Sequence, residues 1–180
     1  MNRALVALII ICITAAAPPA FAGKREKLEQ RVDETLARFY EQSYTGQELA
    51  KKAKGILVFP KIYKAGIAFG GEHGKGALRV GGETVAYYST TSGSFGFQLG
   101  AQKRSQILLF MTDEALESFR QSDGWEIGVD GSVAVVDVGT GADLDTNSIK
   151  DPIVGFVFGN EGLMFNISLE GTKISRLDDD

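Results

Sequence analysis

Cysteine is nearly absent: Cys12 is the single one in 180 residues, and it stands inside an apolar N-terminal run. Once that run is removed, no disulfide, cysteine nucleophile or thiolate metal site is available to the rest of the chain. Histidine is as scarce. His73 is alone and lies among glycines, so a Ser-His-Asp arrangement or a histidine-based metal site would have to be built around it by itself. No catalytic residue, metal centre or cofactor is expected, and the chain reads as a non-enzyme. Long apolar runs are missing too: Ala4 to Ile13 is short for a span of about 20 residues and is followed by Pro18 and Pro19 rather than a basic stop. With Arg3 ahead of it and the small-residue exit Ala20-Phe21-Ala22 behind it, the stretch 1–22 reads as a secretory signal peptide cleaved after Ala22. Ile11 stands where a lipidation site needs a small residue, which argues against a lipid on Cys12. The expected location is periplasmic or exported, peripheral to the membrane.

What the chain has in quantity is glycine, 22 residues against four prolines, which suits a strand-rich fold with many turns. Its charge is unevenly spread. Residues 24 to 64 carry ten basic groups against six acidic ones, whereas residues 65 to 180 carry eight against seventeen. A basic leading segment on an acidic body can orient a protein at an anionic surface, and it can equally be the solvated face of a packing helix. From Lys24 to Ser43, Leu28, Val32, Leu36 and Phe39 recur at spacings of four, four and three, which predicts a helix with one apolar face, ended by Gly46. Gln47 to Ala53 predicts a second short helix stopped by Gly55, with Lys51, Lys52 and Lys54 well placed for its dipole.

Beyond Lys54 the pattern turns to strands, centred on 56–59, 66–71, 76–80, 85–89, 94–100, 105–111, 129–137, 153–159, 163–168 and 173–177. Pro60 is expected to close the first of these. Ile67 and Phe69 alternate with glycine and alanine, which predicts one strand with a bulky and a small face. Thr112-Asp113-Glu114 opens a mid-chain helix to about Gln121. Such local connections favour an α+β fold: a curled, largely antiparallel sheet or barrel-like sandwich with N-terminal helices and one mid-chain helix. The expected organisation is a signal peptide over 1–22, an amphipathic helix over 23–46 and one domain over 47–180.

Several motifs fail on inspection. Gly74-Lys75 is followed by Gly76 rather than Ser or Thr, so the glycines around it are not a nucleotide loop. Asp143 to Asn147 begins like a calcium loop, but Ser148 stands where glycine is needed and Val154 where the closing glutamate belongs. Asn166-Ile167-Ser168 matches a glycosylation pattern inside a predicted strand and carries no weight. Three Gly-Phe-rich segments resemble one another at irregular spacing, which is no repeat array.

Lys54-Gly55-Ile56, Lys64-Ala65-Gly66, Gly93-Ser-Phe-Gly-Phe-Gln-Leu-Gly100, Leu116-Glu-Ser-Phe119, Gly128-Val-Asp-Gly-Ser-Val-Ala134, Gly162-Leu-Met-Phe165 and Ser168-Leu-Glu-Gly171 follow one another in an order that resembles the SYLF domain family (YSC84-like), from about Gln47 to Arg176. The resemblance implies a lipid-binding module. Eukaryotic members use an N-terminal amphipathic helix and basic residues on phosphoinositide membranes, and some bind actin. The export signal puts those cytosolic partners out of reach for a bacterial member, so lipid binding carries over while the head group and the actin role do not. The resulting expectation is a peripheral module of the bacterial envelope that binds an anionic lipid or membrane surface, and no nucleic acid. Its expected lipid-binding residues are Lys24, Arg25, Lys27, Leu28, Arg31, Val32, Leu36 and Phe39 on the first helix, Lys51, Lys52 and Lys54 after the second, and Lys61 and Lys64. The alternative is a non-enzymatic structural or assembly protein whose partner is another envelope protein.

Overall fold

The computed structural model describes residues 19–67, 69–95, 102–135, 151–159, 162–163 and 169–178. Two helices lead, α1 (Pro19–Gln42) and α2 (Tyr44–Lys52), followed by four long strands, β1 (Gly55–Ile67), β2 (Phe69–Val80), β3 (Glu83–Phe95) and β4 (Gln102–Phe110). Then come α3 (Asp113–Gln121) and the shorter pieces β5 (Trp125–Glu126), β6 (Ala134–Val135), β7 (Ile153–Gly159), β8 (Gly162–Leu163) and β9 (Lys173–Arg176). The strands form one sheet in the order β5-β9-β3-β2-β1-β4-β7-β6, with β8 on β7. Among the described residues every pairing is antiparallel except β6 with β7. The architecture is the expected α+β one.

Both faces of the sheet are covered, which is why Ile56–Phe59 and Ile107–Phe110 are unbroken apolar runs rather than alternating ones. Val58, Ile107, Leu109, Val154, Phe156 and Phe158 meet Val32, Leu36 and Phe39 of α1 and Leu49 of α2 on the outer face. Leu57, Phe59, Leu108 and Phe110 point the other way, onto Leu116 and Phe119 of α3 with Trp125, Ile127 and Ile174. That inner face is concave. The Phe119 ring lies 4.8 Å from both Tyr88 on β3 and Phe110 on β4, although these strands stand three spacings, roughly 14 Å, apart in a flat sheet. One ring meets both because the sheet curls around α3.

Four local expectations need correction. Pro60 does not close a strand: β1 continues through it, and the register with β2 shifts between Val58 and Lys61. A bulge leaves an unpaired residue, so a proline without an N–H is tolerated there. Gly76 is the glycine this geometry requires, because a Cβ on it would sit 2.3 Å from the Val58 carbonyl oxygen. The bulge also reverses side-chain parity, so that Ile62 joins Leu57 and Phe59 on the inner face. Residues 66 to 71 are not one strand but the end of a hairpin, with Gly66 opposite Gly70 and Ile67 opposite Phe69. Gly46 does not end α1. Ser43 does, its Oγ accepting the Gly46 N–H at 2.8 Å to cap α2, while Gly46 packs under the Phe39 ring. Ala53, not Gly55, then caps α2, and Gly55 opens β1.

The predicted strand 129–137 is reduced to Ala134–Val135 among the described residues. Gly128 at φ +90° and the Asp130 carboxylate, which accepts the Glu126 N–H at 2.7 Å, make a turn of its beginning. Gly81 and Gly82, at φ +62° and +90°, form the two-residue hairpin turn between β2 and β3. The calcium-like segment at Asp143, the sequon at Asn166, residues 1–18 of the leader and the greater part of the strands expected at 94–100 and 163–168 lie outside the described residues.

Candidate functional site

α1 lies across the outer face with acids on one flank and cations on the other. Arg79 of β2 reaches up to Glu29 and Asp33, its Nη2 2.8 Å from an oxygen of each, and Thr84 Oγ donates to Glu29 at 2.9 Å. These contacts take up the carboxylates on the β2 side. Burial first, and then the neighbouring Glu29 carboxylate, push the Tyr87 phenol above its usual value. The Arg25 guanidinium stands 5.3 Å over the Tyr87 ring, within cation–π range.

On the other flank Arg31, Glu34 and Arg38 share one helical face by their three- and four-residue spacing. They overhang the β1 bulge, where Lys61, Lys103 and Arg104 stand on β1 and β4, and together they line a cleft of about 260 Å³. A second cleft of about 240 Å³ continues from it, sharing Arg31, Pro60 and Lys61 and adding Tyr63, His73 and Lys75. A third, about 410 Å³, shares Leu28 and Lys75 with the second and ends at Lys24, Arg25, Tyr87 and Leu177. The three run as one trench along α1, with Leu28, Tyr63 and Tyr87 as its apolar and aromatic patches. Lys61 faces Lys75 directly across the β1–β2 ladder. Like charges at such a pair are destabilising, and no carboxylate is paired with either among the described residues.

The structure therefore brings together Lys24, Arg25, Leu28, Arg31 and Lys61 of the residues expected to bind lipid. Lys27 is exposed on α1 but lines none of these clefts. Val32, Leu36 and Phe39 are seated in the core, 0, 9 and 0% exposed, so the apolar stripe of α1 faces the sheet. Lys51 and Lys52 are exposed at the end of α2, away from the trench. A hydrogen bond from Lys51 to Glu48 at 2.5 Å pushes its ammonium above the usual value, and Lys54 lies 3.4 Å from Asp113. Lys64 sits 3.9 Å from Glu72, which also binds Arg104.

Arg38, Lys75 and Lys103 are the trench cations that sequence reasoning missed, while Arg104, opposite Ile62, turns to the inner face and pairs with Glu72. The seven-residue spacing of Arg31 and Arg38 was available as a signal. The others converge only through register, with Lys75 opposite Lys61 and Lys103 opposite Tyr63. Among the described residues no group of three or more histidines, cysteines and carboxylates could hold a metal ion, and no helix is long and apolar enough to cross a membrane.

The fold and the trench define a class: a helix-covered, curled, largely antiparallel sheet that carries a cationic groove. The family model for Ysc84, described as a Las17-binding protein actin regulator, matches residues 91–180, and the chain belongs to that family. The matched half contains β4 with Lys103, Arg104 and Ser105, while α1 and the β1 bulge precede it. Among curated proteins, none matches the chain.

Proposed function

We propose that the chain is a peripheral lipid-binding module of the bacterial cell envelope, held to anionic lipid surfaces by the cations of its N-terminal region. The trench carries this reading. It gathers cations from α1, β1, β2 and β4 along one side of a chain whose net charge is −4, and it mixes them with Leu28, Tyr63 and Tyr87. Each Lys or Arg near an anionic leaflet contributes about 1 kcal/mol, so a handful suffices for peripheral attachment. The buried stripe of α1 need not leave the sheet for this to work. Co-sedimentation of the purified chain should show binding to phosphatidylglycerol vesicles that falls as salt rises, and little binding to phosphatidylcholine vesicles. Equal binding to both, or none to the anionic ones at low salt, sinks the proposal and leaves a protein partner, the kind of role in the family's own description, as the reading to pursue.

The same proposal places the protein outside the cytoplasm, with residues 1–22 removed and α1 beginning at Gly23. Mass spectrometry of the exported protein is expected to give a mature N-terminus at Gly23. A mass that includes residues 1–22 would make it an anchored chain instead.

A further inference from the structure

The cleft between α1 and the β1 bulge differs from the rest of the trench in being built as well as charged. Ser105, 5% exposed, donates from Oγ to the Pro60 carbonyl at 2.7 Å and accepts from Arg38 Nη2 at 2.9 Å. The carbonyl it holds belongs to the bulge residue, so the irregularity in β1 and the position of the Arg38 guanidinium are fixed by one hydroxyl. A guanidinium has five N–H donors, and this arrangement occupies one of them. Arg104 contributes only its strand to this wall: it stands opposite Ile62 in the ladder, so its guanidinium turns to the inner face, where Nε and Nη2 both bond Glu72 Oε2.

Charge balance indicates what the cleft accepts. Glu72 takes the charge of Arg104, which leaves Arg31, Arg38, Lys61 and Lys103 facing the single carboxylate of Glu34. A singly charged carboxylate or phosphodiester would leave most of that excess uncompensated. A phosphomonoester above its second pKa of about 6 carries two charges and three acceptor oxygens, which suits forked Arg donors flanked by lysines. The volume of about 260 Å³ equals roughly nine waters at about 30 Å³ each, enough for a phosphate on a short polyol.

We propose that this cleft is a discrete phosphomonoester site, in which Arg38, positioned by Ser105, grips the phosphate and Arg31, Lys61 and Lys103 neutralise it. The phosphate belongs either to a lipid head group or to a small soluble ester. For the lipid case the inference rests on the anionic-surface reading above, and the experiment separates the two.

The purified chain is titrated calorimetrically with glycerol 3-phosphate at a pH where the ester is a dianion. It is also sedimented with phosphatidylcholine vesicles carrying phosphatidate or phosphatidylglycerol at matched surface charge. The expected result is a preference of about tenfold or more for phosphatidate, competed by glycerol 3-phosphate. Arg38→Lys should abolish the preference, because it retains the charge and loses the fork. The double variant Lys61→Gln/Lys103→Gln alters side chains on the cleft rim and should lose the preference with an unchanged thermal midpoint, which covers the case in which Arg38→Lys disturbs folding. Equal binding to both charged vesicles, with no heat from glycerol 3-phosphate, overturns the phosphomonoester site and leaves the general reading standing. Binding of the soluble ester without any vesicle binding supports the site and overturns the membrane reading. Absence of all binding overturns both.

Discussion

Phe39→Ala should destabilise the protein by about 3–5 kcal/mol, the usual cost of emptying a fully buried aromatic site. Phe39 is 0% exposed, and its ring meets Phe156 edge-on at 4.8 Å and Phe158 at 5.5 Å. It is also the surface on which α2 is seated: a Cβ on Gly46 would lie 2.4 Å from the ring, so the two residues fit without spare room. Removing the ring opens a cavity between α1, α2 and β7 that a backbone fixed by Ser43 and by the sheet cannot collapse into. Leu28→Ala, at a half-buried position on the same stripe, should cost a fraction of that. Urea midpoints at constant m-value measure both. A Phe39→Ala midpoint equal to that of the parent would mean that α1 is not seated on the sheet in solution, and the apolar stripe would then be available to a bilayer. The same measurement decides how a loss of vesicle binding in Leu36→Ser or Phe39→Ser is understood, since an unfolded chain binds nothing specifically.

Phe39 also marks where the sequence was informative and where it was not. Spacing alone placed Leu28, Val32, Leu36 and Phe39 on one helix face, and that face is real. Spacing does not say what the face meets, because a stripe that packs on a sheet and one that enters a membrane interface have the same period. The apolar runs at 56–59, 105–111 and 153–159 were legible as strands, as was the Thr112-capped helix, because burial on two faces and a hydroxyl cap leave local signals. Pro60 misled, since a bulge is a two-strand event: its partner in that geometry is Gly76, and only the pairing shows why both are needed. Ile67 and Phe69 misled for a related reason. Their alternation fits one strand, yet the chain reverses between them. The site followed the same rule: cations sharing a helix or lying in the basic leading segment were within reach of the sequence, whereas Lys75 and Lys103 join them through register.

That difference leads to the largest functional effect. The variant Lys61→Ser/Lys75→Ser/Lys103→Ser should lower affinity for phosphatidylglycerol vesicles by on the order of a hundredfold, because three lysines at about 1 kcal/mol each amount to roughly 3 kcal/mol, and each 1.4 kcal/mol is tenfold. The remaining binding should depend less steeply on salt, since the screened Coulomb part is what was removed. Folding should survive or improve slightly, because Lys61 and Lys75 oppose each other across the ladder and their removal relieves a like-charge pair. The matched variant Lys51→Ser/Lys52→Ser/Lys54→Ser changes the same formal charge at the end of α2. Lys51 is already bonded to Glu48 and Lys54 is close to Asp113, so part of that charge is locally compensated. It also lies away from the trench, and its effect on binding should be about a few-fold, near that of a long-range change in net charge. Equal losses in the two variants would mean that the protein answers to net charge and presents no particular face to the lipid. A larger loss in the α2 variant would move the binding surface to the end of α2 and leave the trench as an ordinary cleft beside a packed helix.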